Sequence, residues 1–479
     1  MGEPRFSSYI HGQWVAGAGD HADENPADLD APVGHYGMLD AATTAQAVDA
    51  AADAQHAWGL STPQRRAEAL DAVGTEILAR KDELGRLLAR EEGKTLPEAI
   101  GEAARAGQIF KFFAGEALRI PGEKLASTRP GVEVEITREP VGTVGIIAPW
   151  NFPLAIPAWK IAPALAYGNT VVFKPAEIVP GCAWALAEIL SRAGLPEGVF
   201  NLVLGGGRTV GQAMVEHPRL DALSFTGSVP TGRALLVQAA ARALKVQLEM
   251  GGKNPLVVLA DADMDIAVDC AVNGAYFSTG QRCTASSRLI VEAAVYDAFT
   301  ERMRARLAAL RVGDPLIQGV DIGPVASGQQ LDTDLSYIQA GHDDGAELLA
   351  GGGRVDGAGN GHFLAPTLFA ATPGDRIARE EIFGPVAALL RADDYGHALA
   401  LANDTEFGLC AGICTTSLKH ATHFKRHAQA GMVMVNLPTA GVDPHVPFGG
   451  RKASSYGPRE QGRHAVEFYT TVKTAYTAA

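Results

Sequence analysis

The sequence predicts an α/β protein with two α/β units and a small β flap. Three observations carry this. Short β-branched runs alternate with Ala/Leu-rich helical patterns, a second series of such runs begins after residue 253, and two strand-like segments far apart in the chain belong to neither series. Strands alternating with helices give parallel βα units with helices on both faces of the sheet.

The first series is TVGIIAP (143–149), TVVFKP (170–175), VFNLVLG (199–205) and ALSFTG (222–227). The second is NPLVVL (254–259), SRLIVE (287–292) and GMVMVN (431–436). At 479 residues the chain exceeds the size at which one core keeps growing, so several packed units are expected. The two unplaced segments are RPGVEVEITREPVG (129–142), which alternates like an exposed hairpin, and AVEFYTTVKTAYT (465–477). Exposed strand edges need pairing, so these segments are expected to pair with each other as an oligomerisation flap. GGGRVDGAGNG (351–361) reads as a surface loop.

Hydrophobic residues make up 47% and charged residues 20%, with a formal net charge of −13 and no basic block. This argues against nucleic acid or an anionic membrane surface and favours a small-molecule substrate. The opening MGEPRFSSYIHGQW has no apolar signal region, and Phe6 stands where a myristoylation signal needs Ser or Thr. The apolar stretch from Val144 to Trp159 is broken by Asn151 and three prolines, which excludes a membrane span. A cytoplasmic protein is expected. The cysteines are five, Cys182, Cys270, Cys283, Cys410 and Cys414, an odd set without paired spacing that favours free thiols.

Cys283 lies in YFSTGQRCTASSR (276–288), directly after Arg282 and among small residues. It reads as a buried structural cysteine or as a nucleophile; a nucleophile needs a positive environment or a nearby base. Glu249, in QLEMGGKNP (247–255), ends a strand-like run before Gly251 and Gly252, and reads as a loop glutamate or a general base at a rim. Asn151, in PWNFP, is a turn asparagine or an oxyanion donor. Lys174 and Glu177 follow a strand end, where doubly wound sheets bind ligands. Gly227 and Ser228 precede a helical pattern whose N-terminal amides suit a pyrophosphate. Cys410, Cys414, His420, His423 and His427 lack a recognisable zinc spacing and read as core and surface residues.

Taken together, PWNFP, KPAE, FTGS, EMGGKNP, GQRC, EEIFGPV (380–386) and PFGGRKASSYGPREQG (447–462) resemble the aldehyde dehydrogenase superfamily, in the family's order and over nearly the whole chain. The resemblance implies a Rossmann-like NAD(P)-binding domain from residues 1–121 and 141–251, a catalytic domain at 252–452, and the flap at 122–140 and 465–479. It implies Cys283 as nucleophile, Glu249 as general base and Asn151 as oxyanion donor. NAD or NADP is then held by Trp150, Lys174, Glu177, Gly227, Ser228, Glu381 and Phe383, and Phe152, Trp159, Phe277 and Phe448 match substrate-tunnel positions. No metal is implied. The reaction is oxidation of an aldehyde to the acid through a thiohemiacetal and a thioester, in a homodimer or homotetramer. Met250 departs from the usual leucine.

Within the superfamily the chain looks most like α-ketoglutaric semialdehyde (2,5-dioxopentanoate) dehydrogenases, so an acidic semialdehyde is expected. A broad aliphatic or aromatic aldehyde specificity is the alternative. A CoA-acylating branch usually lacks the Glu249-type base, and a relative without chemistry would not need Cys283, Glu249 and Asn151. Glu177 should repel a 2′-phosphate and favours NAD, while relatives with similar C-terminal motifs use NADP. Arg282 is open to three readings: raising the potential at Cys283, binding a substrate carboxylate, or forming a structural ion pair.

Overall fold

The computed structural model describes residues 5–478. Five parallel strands form the heart of the first unit: β1 Thr143–Ile147, β2 Thr170–Lys174, β3 Phe200–Leu202, β4 Ala222–Thr226 and β5 Lys245–Glu249. Their spatial order is β5-β4-β1-β2-β3. The chain runs outward from β1 through β3, then crosses back to lay β4 against the free side of β1. That reversal leaves a crevice outside the carboxyl ends of β1 and β4, the place where such sheets bind ligands.

The strands are apolar because both faces are covered. Phe173 and Val144 pack with Trp58, Phe110 and Phe113 from the preceding helices in one buried core. Two antiparallel strands, Ser8–Ile10 and Gln13–Val15, extend the sheet beyond β3, and Ser455–Tyr456 adds to β5 at the other edge.

The second unit holds a seven-stranded sheet. Its parallel strands are β6 Pro255–Val258, β7 Arg288–Glu292, β8 Thr367–Ala370, β9 Val386–Ala392, β10 Cys410–Cys414 and β11 Met432–Val435. An antiparallel edge strand, Glu347–Ala350, pairs with β8.

The two segments outside both series meet. Val132–Pro140 forms a hairpin with Glu123–Ala126 and pairs along its whole length with Thr470–Ala478. Cys410 and Cys414 lie at the ends of β10, both buried and free, while the three histidines decorate the separate helix Leu418–His427. No group of three metal-ligating side chains closes on a common point among the described residues, and no helix there is long and apolar enough to cross a membrane.

Candidate active site

The crevice outside β1 and β4 opens into a cavity of about 260 Å³. Trp150 and Asn151 enter it from the loop after β1, Thr226, Gly227 and Ser228 from the end of β4, and Glu381 and Phe383 from the second unit. Cys283 lies on its wall. Seven of the residues expected from sequence therefore share one cleft between the two sheets.

Cys283 is delivered by a tightly constrained turn. The helix Met264–Tyr276 ends, and Ser278, Thr279 and Gly280 all adopt left-handed backbone with φ of 50°, 56° and 67°. Such a conformation costs energy in non-glycine residues and persists only where surroundings enforce it. Glu98 does so here: its Oε1 accepts from the Ser278 amide at 2.8 Å and the Ser278 hydroxyl at 3.0 Å. Asn254 completes the hold, donating to the carbonyls of Cys283 at 2.7 Å and Ala285 at 3.0 Å while accepting from the Cys410 amide at 2.8 Å.

The two glycines after Glu249 serve proximity. Neither has positive φ. A β-carbon on Gly252 would stand 2.6 Å from the Cys283 carbonyl oxygen, and one on Gly251 would overlap the Glu381 carboxylate. Expected for a sharp turn, they instead let β5's exit pass directly beneath the nucleophile.

Asn151 is buried at 2% exposure, and its Nδ2 donates to the Gln281 carbonyl at 2.9 Å. That bond orients the amide and uses one of its two N–H groups, leaving the other for an oxyanion. Beneath it, Lys94 Nζ bonds the Asn151 carbonyl, pairs with Glu102 at 2.9 Å and lies 3.9 Å from the Phe152 ring centroid. The second Glu102 oxygen accepts from the Leu154 and Ala155 amides, at 2.9 and 3.1 Å, at the start of the helix Ala155–Ala166.

Glu249 is also buried, and the Ser455 hydroxyl donates to its Oε2 at 2.5 Å. Burial, then the nearby Glu460 carboxylate, holds its pKa well above the ordinary value. Glu460 itself accepts from Trp159 Nε1 at 2.6 Å and pairs with the fully buried Lys160. Burial also pushes the Cys283 thiol up, with Glu381 and Glu249 adding to the effect. The charges that act on the nucleophile are thus negative, which does not fit the reading in which Arg282 raises the potential there.

Of the three readings of Arg282, the ion pair is the one the geometry shows. Its guanidinium turns to Glu98 at 3.0 Å and to the Ser278 hydroxyl at 3.0 Å, with the pair 12% and 22% exposed. The same ion pair that holds the 278–280 turn engages its charge and turns it away from the cleft lining. The aromatic residues are partly assembled: Trp159 packs on Phe448 with centroids 5.4 Å apart, and Cys283 packs against the cluster holding Phe448. Phe277 starts the constrained turn and packs on the core of the second unit.

The cleft suits a dinucleotide. Thr226 Oγ1 is buried there with no protein partner, and the helix Val229–Ala240 begins directly after Gly227 and Ser228 with no side chain capping its amides. Trp150 and Phe383 meet edge-to-face at 5.3 Å. Glu381 accepts from the Gly252 amide at 2.8 Å, and burial pushes its pKa up to about 7. Lys174, the last residue of β2, and Glu177, in the loop after it, lie outside this cavity. Burial pulls Lys174 down to about 8, and exposed Glu177 accepts from the Gly207 amide at 3.0 Å. Lys94, Glu98, Glu102, Asn254 and Glu460 were missed in sequence, because their partners are distant along the chain and nothing in their immediate neighbours points to them.

Comparison with known proteins agrees with this geometry. Residues 14–475 match the model of the aldehyde dehydrogenase family. The chain is 44% identical to the α-ketoglutaric semialdehyde dehydrogenase of Bacillus subtilis (strain 168), over 98% of each chain. It is 43% identical to the α-ketoglutarate semialdehyde dehydrogenase of Haloferax volcanii, again over 98% of each. A crystal structure of betaine aldehyde dehydrogenase from Staphylococcus aureus in complex with NAD+ superposes with a TM-score of 0.96 at 34% identity, covering 98% of this chain and 94% of that one. With the family model spanning almost the whole sequence, and two sheets meeting at a cysteine, an amide and a dinucleotide cleft, the chain belongs to the aldehyde dehydrogenase family.

Proposed function

We propose that the chain oxidises an acidic semialdehyde, such as α-ketoglutaric semialdehyde, to the carboxylic acid with NAD. The observation that carries the reading is Cys283 and Asn151 sharing one cleft with Gly227, Ser228, Glu381 and Phe383. The substrate class rests on the named relatives.

Once its thiol proton has been released to solvent, the Cys283 thiolate adds to the aldehyde carbon, and the resulting oxyanion takes the free Asn151 N–H and the Cys283 amide. The dinucleotide, when bound, supplies the acceptor for the hydride leaving that carbon. Gly227 and Ser228 hold the pyrophosphate, Glu381 the nicotinamide ribose, and Trp150 and Phe383 flank the ring. Lys174 and Glu177 hold the adenosine ribose. Glu249 then takes a proton from water, hydroxide adds to the thioester carbon, and the acid leaves as the Cys283 sulfur is released.

Homodimeric or homotetrameric assembly is proposed to use the flap, where Val472 and Tyr476 stand 59% and 62% exposed on its C-terminal strand. Light scattering coupled to gel filtration reads the assembly state.

The test of function is NAD and NADP reduction with α-ketoglutaric, glutaric and succinic semialdehydes beside pentanal and benzaldehyde. The acids are expected to lead in kcat/KM and NAD to exceed NADP, with Glu177→Gln narrowing the cofactor gap by removing repulsion of the 2′-phosphate. Equal rates for acids and neutral aldehydes would reject the substrate assignment, and an outright NADP preference would reject the role of Glu177.

A further inference from the structure

We propose that Arg105, with Gln461 beside it, forms the subsite that takes the distal carboxylate of the substrate. This rests on the acidic-semialdehyde reading above and supplies the cation that Arg282 does not.

Arg105 lies on the helix Leu96–Ala117 and is the cation beside Trp159. Its guanidinium carbon sits 5.8 Å from the Trp159 ring centroid, Trp159 packs on Phe448, and Cys283 packs against the cluster that contains Phe448. The nucleophile and the arginine are thus two stations along one run of rings.

The hydrogen-bond inventory points to an acceptor from outside. Nη2 donates to Gln461 Oε1 at 3.2 Å, whereas the enclosed Nε has no partner. Gln461 is fully buried, and its Nε2 is likewise enclosed and unpartnered. No carboxylate of the described residues forms an ion pair with Arg105, in contrast to Arg282 on Glu98. Glu102 and Asp443 act on it only at longer range, and Glu102 is already committed to Lys94. Enclosed donors without acceptors are costly and rare in folded proteins, and a ligand that supplies acceptors is one way to complete such a set.

Backbone strain supports the same reading. Gln461 has a left-handed φ of 59°, and Gly462 after it has φ of 54°, with its would-be β-carbon 2.6 Å from the His445 carbonyl. The chain accepts this conformation to hold the Gln461 amide inward against Arg105. A guanidinium fork next to an amide N–H matches a carboxylate, which accepts at both oxygens. A neutral aldehyde of equal length has nothing to offer these donors.

The experiment compares glutaric semialdehyde with pentanal, two five-carbon aldehydes differing in the distal carboxylate. The readout is the ratio of their kcat/KM values. Arg105→Met is expected to lower that ratio about ten- to a hundredfold, chiefly through KM for the acid, the usual effect of losing a hydrogen bond to a charged group. Arg105→Lys should recover part of it. Arg282→Met should keep the ratio within about threefold of wild type, since its partner is Glu98.

If Arg105→Met does not fold, Gln461→Glu supplies the same information, because a carboxylate placed against Arg105 occupies the guanidinium and repels the substrate. An unchanged ratio in both Arg105→Met and Gln461→Glu, with a wild type that prefers the acid, overturns the subsite while leaving the substrate class standing. A wild type that treats both aldehydes alike overturns the substrate class itself. A selective loss in Arg282→Met instead returns the carboxylate to that side chain and overturns the assignment to Arg105.

Discussion

The hydroxyl of Ser455 donates to Glu249 Oε2 at 2.5 Å, so a residue from the last strand of the first sheet steers the acidity of a carboxylate at the end of β5. Burial raises the Glu249 pKa and this bond lowers it. A general base works only when ionised. Turnover should therefore fall as pH drops through the raised Glu249 pKa, and Ser455→Ala should move that acidic limb of kcat to higher pH. Glu249→Gln should cut steady-state turnover about 10²–10⁴-fold while sparing the first burst of NADH. Rapid-mixing absorbance at several pH values reads both effects.

Cys283 should react slowly with iodoacetamide at pH 7 in the cofactor-free protein, and faster as pH rises. The cause is burial, reinforced by Glu381 and Glu249, which keeps the thiol protonated. Glu381→Gln should speed alkylation at fixed pH by removing one of the negative neighbours. Mass spectrometry of the labelled peptide follows the rate.

Gly252→Ala should disable the enzyme without unfolding it. The added carbon would meet the Cys283 carbonyl at 2.6 Å, backbone that is itself pinned by Asn254. A displacement of that kind is worth about a hundredfold in rate. Single-turnover kinetics should show the loss in the chemical step, with circular dichroism and cofactor affinity near wild type.

Away from the cleft, Asp23 is fully buried with neither carboxylate oxygen bonded to a donor, against the equally buried Glu91, which caps Gly181 and Cys182. Burial and Glu91 raise the Asp23 pKa on folding. The stability from this group is complete below the unfolded carboxylate pKa of about 4 and is lost as pH rises towards the folded value. Asp23→Asn should therefore raise the melting temperature more at pH 9 than at pH 5, by calorimetry at the two pH values.

Strands flanked by glycine or proline and built from β-branched residues were legible, as at Thr143–Ile147 and Arg288–Glu292. Val386–Ala392 and Cys410–Cys414 were not, because alanine- and glycine-rich stretches such as VAALLRA lack that local bias and become strands only through their neighbours. The same division holds at the cleft. Cys283, Asn151 and Glu381 stand in recognisable local motifs, whereas Lys160 finds Glu460 across 300 residues and Arg105 finds Gln461 across 356. Pairings over such separations leave no trace in spacing. Arg282 stayed open between three readings for the opposite reason: its neighbour in sequence is the nucleophile, but its partner in space is Glu98.

The first sheet is closed by residues from the far end of the chain: Ser455–Tyr456 pairs with β5, Asn169 donates to the Tyr469 carbonyl at 2.9 Å, and Lys245 donates to the carbonyls of Glu467 and Thr470. During synthesis these partners emerge only after the whole second unit has left the ribosome. At about 5–20 residues per second, β5 waits roughly ten to forty seconds with an open edge. The unit made first is consequently the unit finished last, and the nascent chain exposes a growing sheet to chaperones and to other nascent copies throughout that interval.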